Sequence, residues 1–385
     1  MFRRKPHTLP ADPVFEPDLE KLGFFINGED QVRSIKNPER KYQYQINRNE
    51  RWNQVHKGAN NAAVCNIVQQ RLLDLGFEKV RLPLGAGEHE NHLPTLVSEG
   101  IATKDRVIII FGGRNTEPGI LSWRAIGEEG IRHGSLVEFA KAALSASAPV
   151  APLTSTPTKN ETTNENITIS TVSTPGIIIA NPCQLLWYRG GSRAVSNFEW
   201  LCLPRPTAVH DAPRVDAVKN RIPNNHDYVE HVQYMFQKVI PSLVNERARI
   251  DIVGVEFTGT AVVEYLAQHW NLWSPRITGI AFVTPQHKLA DLEAQGAPSA
   301  FIDFLSKRCR AYFVSQSEVE KPIVGREQFG CNCYASGEHH VEESVFVRSW
   351  RHILDWFDML HVNPGYEEVV FEVVERDEEI KLGWD

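Results

Sequence analysis

A three-layer αβα sandwich built on a mostly parallel sheet is the fold that the 385-residue sequence predicts. Three observations carry that expectation. Short, continuous apolar runs recur, such as "RVIIIFGG" (106–113) and "RIDIVGV" (249–255), and strands buried on both faces read this way. Amphipathic stretches of helical spacing follow these runs, so strands and helices alternate as in βαβ units. The composition is globular, with 42% hydrophobic and 23% charged residues and nine tryptophans that need shelter.

Residues 1–20 are proline-rich with mixed charges and are expected to form a weakly ordered arm. In 49–76 the apolar residues Val64, Ile67, Val68, Leu72, Leu73 and Leu75 share one helical face, and Gly76 is a natural stop. "VRLPL" (80–84) is a strand candidate, and 106–113 is a buried strand closed by two glycines. "GSLVEFAKAALSAS" (134–147) is an amphipathic helix, and "GIIIANP" (176–182) is the next buried strand. Between them, 151–174 is nearly all Ser, Thr, Asn and Pro, a composition that buries too little apolar area to offset its ordering entropy. It is expected to be a disordered insertion.

Further on, 226–245 is a helix with Pro241 near its end, 249–255 a strand, 259–270 a helix and 276–285 a strand. A helix over 297–309, a strand over 310–315 and a final amphipathic helix over 343–360 complete the pattern. The expected domain is 21–363, and 364–385 reads as an acidic, solvated tail. Sites on such sheets lie beyond the carboxyl ends of the strands. That rule places Gly112, Gly113, Asn181, Glu256, the Thr284–His287 corner and Ser315–Glu318 along one edge.

A formal charge of −7 argues against a protein built to coat nucleic acid, and the basic opening "MFRRKPH" reads as a solvated tail. No apolar stretch follows Arg3, Arg4 and Lys5, so no secretory signal is expected there. No membrane association is expected either, because no run approaches the ~20 apolar residues that span a bilayer. The two glycosylation sequons at Asn160 and Asn166 are expected to be chance products of the Thr/Asn-rich stretch. Six scattered cysteines suit a reducing compartment, nuclear or cytoplasmic.

The stretch "IDIVGVEFTGTAV" (250–262) runs from a strand through a small-residue turn into a helix. Many hydrolases place a nucleophile at such a corner, in the pattern Gly-x-Ser-x-Gly. Here Gly254 holds the first glycine position, Glu256 the nucleophile position and Thr258 the last. A serine hydrolase needs a hydroxyl, a histidine to take its proton and a carboxylate to orient the histidine. An ionised Glu256 has no proton to give, so that relay cannot run, and no catalytic residues are expected; the alternatives are a hydrolase of unknown substrate using Glu256 with His339 or His340 and Glu318, or a ligand sensor that keeps the pocket without the chemistry. The remnant positions are Glu256, Thr258, Glu318 after the fifth strand, and His339 and His340 near the place of a catalytic histidine. Thr258 is β-branched and resists the positive φ that glycine allows, so an ordinary strand-to-helix connection is expected, with Gly259 supplying some close packing. Gly112 and Gly113 stand where an oxyanion loop would be.

"CNCYASGEHH" gathers Cys331, Cys333, His339 and His340, all zinc-ligand types. The C-x-C spacing with adjacent histidines is no standard finger, so neither a metal nor a cofactor is expected. In "LLWYRGGSRAVSNFEW" (185–200), Trp187, Tyr188, Arg189 and Arg193 interleave aromatic and basic side chains, a pattern that can contact RNA or a partner protein. Packing of these aromatics on the core is the plainer expectation.

The order of these pieces resembles the α/β-hydrolase plan and, more narrowly, the Arb-type domain named for a fungal Argonaute-binding protein (Arb-two). The resemblance rests on "GFFINGEDQVRSIKNP" (23–38), "RWNQ" (51–54), "IIIFGG" (108–113), "SLVEFAKAA" (135–143), "GIIIANP" (176–182), "IVGVEFTGTA" (252–261), "GIAFVTPQH" (279–287) and "YASGEHH" (334–340). It spans about residues 20–360, with 151–174 and 189–224 departing from the pattern. Such domains also occur in a vertebrate cotranscriptional regulator and at the end of fungal class II histone deacetylases. The resemblance implies a scaffold in small-RNA silencing and heterochromatin assembly. Its implied partners are an Argonaute-containing complex or one linked to histone deacetylation or methylation, with RNA reached through those partners.

Overall fold

In the computed structural model, which describes residues 8–145 and 174–371, the alternation of apolar runs and helices becomes one mixed α/β body. The strands are β1 (Phe24–Ile26), β2 (Val32–Ser34), β3 (Phe77–Leu82), β4 (Leu93–Ser98), β5 (Arg106–Phe111), β6 (Gly176–Ile179), β7 (Leu186–Tyr188), β8 (Arg193–Val195), β9 (Arg249–Val255), β10 (Ile277–Val283), β11 (Cys309–Phe313), β12 (Pro322–Ile323) and β13 (Asn332–Ala335). Nine of them form a sheet in the order β12-β13-β11-β10-β9-β5-β6-β4-β3. The run from β6 through β5, β9, β10 and β11 to β13 is parallel; β4 pairs antiparallel with both β3 and β6, and β12 antiparallel with β13.

Both faces of this sheet are covered, which is why β5 and β10 are apolar at nearly every position. Successive β5 side chains alternate between two cores: Val107, Ile109 and Phe111 enter one, Ile108 and Ile110 the other. The first core is closed by the helical stretches 228–243, 256–268 and 299–308, where Phe236 packs against Phe111, Tyr265 and Trp273. The second is closed by helices Glu50–Asp74, Val137–Ser145 and Val345–Val362. Helix 228–243 carries one π turn, Met235–Val239, just before Pro241.

Arg106 crosses the amino edge of the sheet at 1% side-chain exposure and joins Asp251 (2.8 Å) on β9 to Asp358 (2.6 Å) on the last helix. Burial alone would push its guanidinium down, but the two carboxylates hold it up. Three elements far apart in sequence are thereby tied by one charge.

Two expectations about the chain ends are corrected. The arm is held rather than loose from Thr8 onward: Arg51 grips Asp12 through two hydrogen bonds (2.7 and 2.8 Å) and also donates to the carbonyls of Leu201 and Leu203. The arginine of "RWNQ" is thus a clamp between the arm and the segment after β8. The expected solvated tail begins inside the fold, because Glu368 is buried. Residues 1–7 and 372–385 lie outside the described residues, as does the expected insertion at 151–173. Among the described residues, no helix is long and apolar enough to cross a membrane.

Candidate functional site

β9 ends at Val255, and the helix Glu256–Gln268 begins at once. Reversing the chain that sharply requires one left-handed residue, and it is Glu256, at φ +49°. The strand and helix backbones meet at two glycines. A Cβ on Gly254 would lie 2.7 Å from the Gly259 Cα, and one on Gly259 would lie 2.9 Å from the Gly254 carbonyl oxygen. Gly259, one residue past the motif position, therefore supplies the close approach. Thr258 is fully buried, and its hydroxyl lies 2.6 Å from the Val255 carbonyl and 2.7 Å from that of Gly112, which pins the turn to the end of β5. The expected ordinary connection is corrected: the strained corner survives, with its positive φ at the nucleophile position and not at Thr258.

Glu256 opens into a cavity of about 50 Å³ at the carboxyl ends of β5, β6, β9 and β10. That is the scale of a few water molecules. Gly112, Gly113, Thr116, Glu117, Thr284, Glu342 and Glu343 share its walls. Gly113 sits against the carboxylate, 3.8 Å from its ideal Cβ position to Glu256 Oε2. Thr284, which ends β10, is a second strained residue at φ +47°. Two side-chain-bearing residues in left-handed conformation thus flank one small cavity, a concentration of strain typical of binding and catalytic sites.

The electrostatics run against a carboxylate nucleophile. Burial pushes the Glu256 carboxyl above its ordinary value, Glu342 and Glu343 add to that, and Arg114 opposes it. Glu256 is half-buried, and among the described residues no hydrogen bond or ion pair reaches its carboxylate. Glu117 is 5% exposed and is pushed up as well, first by burial and then by Glu199, while Ser196 and Trp123 donate to it. Arg114 lies over the Phe257 ring at 4.2 Å on the solvent side of the corner.

The other remnant positions do not join this cavity. Glu318 is exposed. His339 and His340 are exposed too, and the His339 ring is held by the Ser315 carbonyl at 2.8 Å. The acid that shapes their loop is Glu338, which accepts backbone N–H groups from His339, His340 and Val341. His287, which a loop position marks as solvated, is buried at 3% exposure and hydrogen-bonded to the Phe329 carbonyl. Cys331 and Cys333 are buried with their thiols pushed up by burial, whereas the two imidazoles are exposed. Among the described residues, no group of three or more His, Cys, Asp and Glu converges as a metal site would.

The aromatic–basic stretch folds as the β7–β8 hairpin. Trp187 is buried in the first core, Tyr188 is half-buried, Arg193 pairs with Glu199 at 2.6 Å and Arg189 is exposed. This arrangement is core packing with an exposed cation, Arg189, at the tip. The acids that sequence reasoning missed are Glu117, Glu342 and Glu343. The last two stand immediately before the final helix, a position that the fold turns back to the elbow.

Fold and corner together define an α/β protein that keeps the strand–turn–helix elbow but puts a carboxyl where acyl transfer needs a hydroxyl. The chain belongs to the Arb2 domain family, whose sequence profile matches residues 15–319. No curated protein sequence matches it. Among solved structures, a histone deacetylase from Saccharomyces cerevisiae is similar at 12% identity, covering 77% of this chain and 95% of that one, with a TM-score of 0.40. The histone deacetylase Clr3 is similar at 11% identity over 77% of this chain and 38% of its own, with a TM-score of 0.42.

Proposed function

We propose that this protein is a non-catalytic scaffold of α/β-hydrolase type that works in a chromatin or small-RNA silencing assembly. The observation that carries the reading is the elbow itself: its corner is intact, Glu256 stands at its nucleophile position, and among the described residues no imidazole lines the cavity. The hydrolase ancestry is supported by the strand order. Numbered from β3, eight strands of the sheet run 1-2-4-3-5-6-7-8 with the second reversed, and the elbow follows the fifth. Membership of the Arb2 family supports a binding role, with an Argonaute-containing or histone-modifying complex as partner and a nuclear or cytoplasmic location.

Purification of the tagged chain with mass spectrometry tests this. Argonaute-family or chromatin proteins should co-purify, and Glu256→Ala should leave them bound. Turnover of an ester or amide that Glu256→Ala abolishes would refute the scaffold reading. The strain at Glu256 and Thr284 favours a second reading, a ligand sensor that keeps the pocket without the chemistry. That version predicts ligand-dependent thermal stabilisation without turnover.

A further inference from the structure

One fully satisfied charged group lies away from the elbow. It is Glu368, on the extended segment 364–371 that follows the last helix. Its side chain is 1% exposed. Its Oε1 accepts from Arg310 Nε (2.8 Å), Trp356 Nε1 (3.1 Å) and the Tyr366 hydroxyl (2.9 Å). Its Oε2 accepts from the Tyr334 hydroxyl (2.7 Å) and Asn332 Nδ2 (3.0 Å). Burial works against the carboxylate, but Arg310 and these donors overcome it and hold its pKa below the usual range.

Four of those five donors belong to the body of the fold, on β11, β13 and the last helix. The Arg310 guanidinium is held against the Tyr334 and Trp356 rings at 4.8 and 5.0 Å. A buried guanidinium fixed in this way needs an anion, because leaving it unpaired is costly.

The rest of the segment is read as a peptide is read in a groove, through its backbone. Arg308 donates to the carbonyls of Pro364 (3.1 Å) and Tyr366 (2.6 Å). The Glu368 N–H donates to the Lys307 carbonyl (2.9 Å), and Asn332 Nδ2 donates to the Val369 carbonyl (2.8 Å). Apolar burial in this segment is confined to Tyr366, half-buried against the second core, since Val369, Val370 and Phe371 are 65%, 61% and 41% exposed. A segment that completed the core would bury those side chains instead. An acid anchor with main-chain hydrogen bonds on either side is how extended motifs are recognised.

We propose that this cage is a peptide-recognition site for an extended Tyr-x-Glu segment. It is filled in cis by residues 364–371 and takes the same kind of acidic segment from a partner protein when the cis segment is released. The tethered segment competes at an effective concentration on the millimolar scale, so a cis contact of micromolar intrinsic affinity weakens apparent trans binding by roughly a thousandfold.

The test uses the full chain and a fluorescein-labelled peptide of residues 364–371, read by anisotropy. Glu368→Ala should bind the peptide at least ~10-fold more tightly than the unaltered chain, since its own segment no longer fills the cage. The same peptide with alanine in place of its Glu368 should fail to bind. If Glu368→Ala melts cooperatively and binds neither peptide, or binds both alike, the proposal is overturned. Should that variant not fold, a protease site placed between Asn363 and Pro364 of the full chain replaces it. After cleavage the labelled peptide should exchange into the cage, whereas a cut chain that unfolds or takes up no peptide overturns the proposal.

Discussion

His231 gives the fold a built-in sensitivity to acid. It lies in the helix that covers β5 and β9, with no solvent exposure. Its Nε2 accepts the Asn181 N–H (3.2 Å), so its Nδ1 carries the proton and donates to Asn225 Oδ1 (2.7 Å). Accepting at Nε2 requires the neutral ring, since protonation would set two N–H groups face to face. Burial depresses its pKa from 6.5 to about 3. Between those values the unfolded chain binds a proton that the native chain refuses, so stability rises with pH there. The contribution is fully present above pH 6.5 and is lost as pH falls towards 3. At 1.36 kcal/mol per pH unit the loss reaches about 2 kcal/mol by pH 5, with a ceiling of about 5 kcal/mol. Domains have only about 5–15 kcal/mol in total, so the effect is large. His287, depressed to about 4 by burial, acts in the same direction.

The perturbation is His231→Gln, whose amide can accept from Asn181 and donate to Asn225 without titrating. Urea unfolding of both proteins between pH 5 and 8 gives the stability difference at each pH. The variant carries a constant packing offset, so the change in the difference is the informative quantity. The advantage of the unaltered chain should shrink by about 2 kcal/mol from pH 7.5 to pH 5. Parallel curves for the two proteins would refute the reasoning.

Other substitutions test the packing that positions the site. Gly259→Ala puts a methyl 2.9 Å from the Gly254 carbonyl oxygen, and thermal melts should show a loss of about 1–3 kcal/mol. Arg106→Ala strands the buried Asp251 carboxylate and should cost about 3–5 kcal/mol in urea unfolding. The triple replacement Arg106→Met, Asp251→Leu and Asp358→Asn should recover most of that loss, because it removes both carboxylates that Arg106 pairs as well.

The layers and the parallel core were legible because β5, β6, β9 and β10 are apolar on both faces, a pattern with few other solutions. The elements that escaped are those whose signal is not periodic. β4 contains Pro94 and pairs antiparallel with both neighbours, and β13 reads as "NCYA" with a polar start. At the site, the elbow was visible from Gly254 and the helix behind it. Its strain was not, because φ at Glu256 is set by how closely Gly259 lets the helix approach, a tertiary fact. The acids Glu342 and Glu343 join the cavity only through the path of the chain around the sheet. The arm and the tail were misjudged for a single reason. Composition counts charges but cannot show that Asp12 and Glu368 each meet a buried arginine, Arg51 and Arg310.

The strained corner itself separates an inherited scaffold from a working pocket. A side chain at φ +49° costs ~1–2 kcal/mol relative to glycine. Glu256 adds the cost of a half-buried carboxyl that nothing among the described residues hydrogen-bonds. Glu256→Gly removes both costs, and the greater freedom of glycine in the unfolded chain takes back ~0.5–1 kcal/mol. The net should be a stabilisation of about 1 kcal/mol, a rise of roughly 1 °C in Tm by thermal melt. A fall in Tm would show that the Glu256 side chain makes favourable contacts that offset its strain, and the account of the corner would be wrong. If Tm rises and the partners still co-purify, the corner is a relic of a hydrolase ancestor. If Tm rises and the partners are lost, the strain is maintained for binding, and the elbow cavity is where the protein reads its ligand.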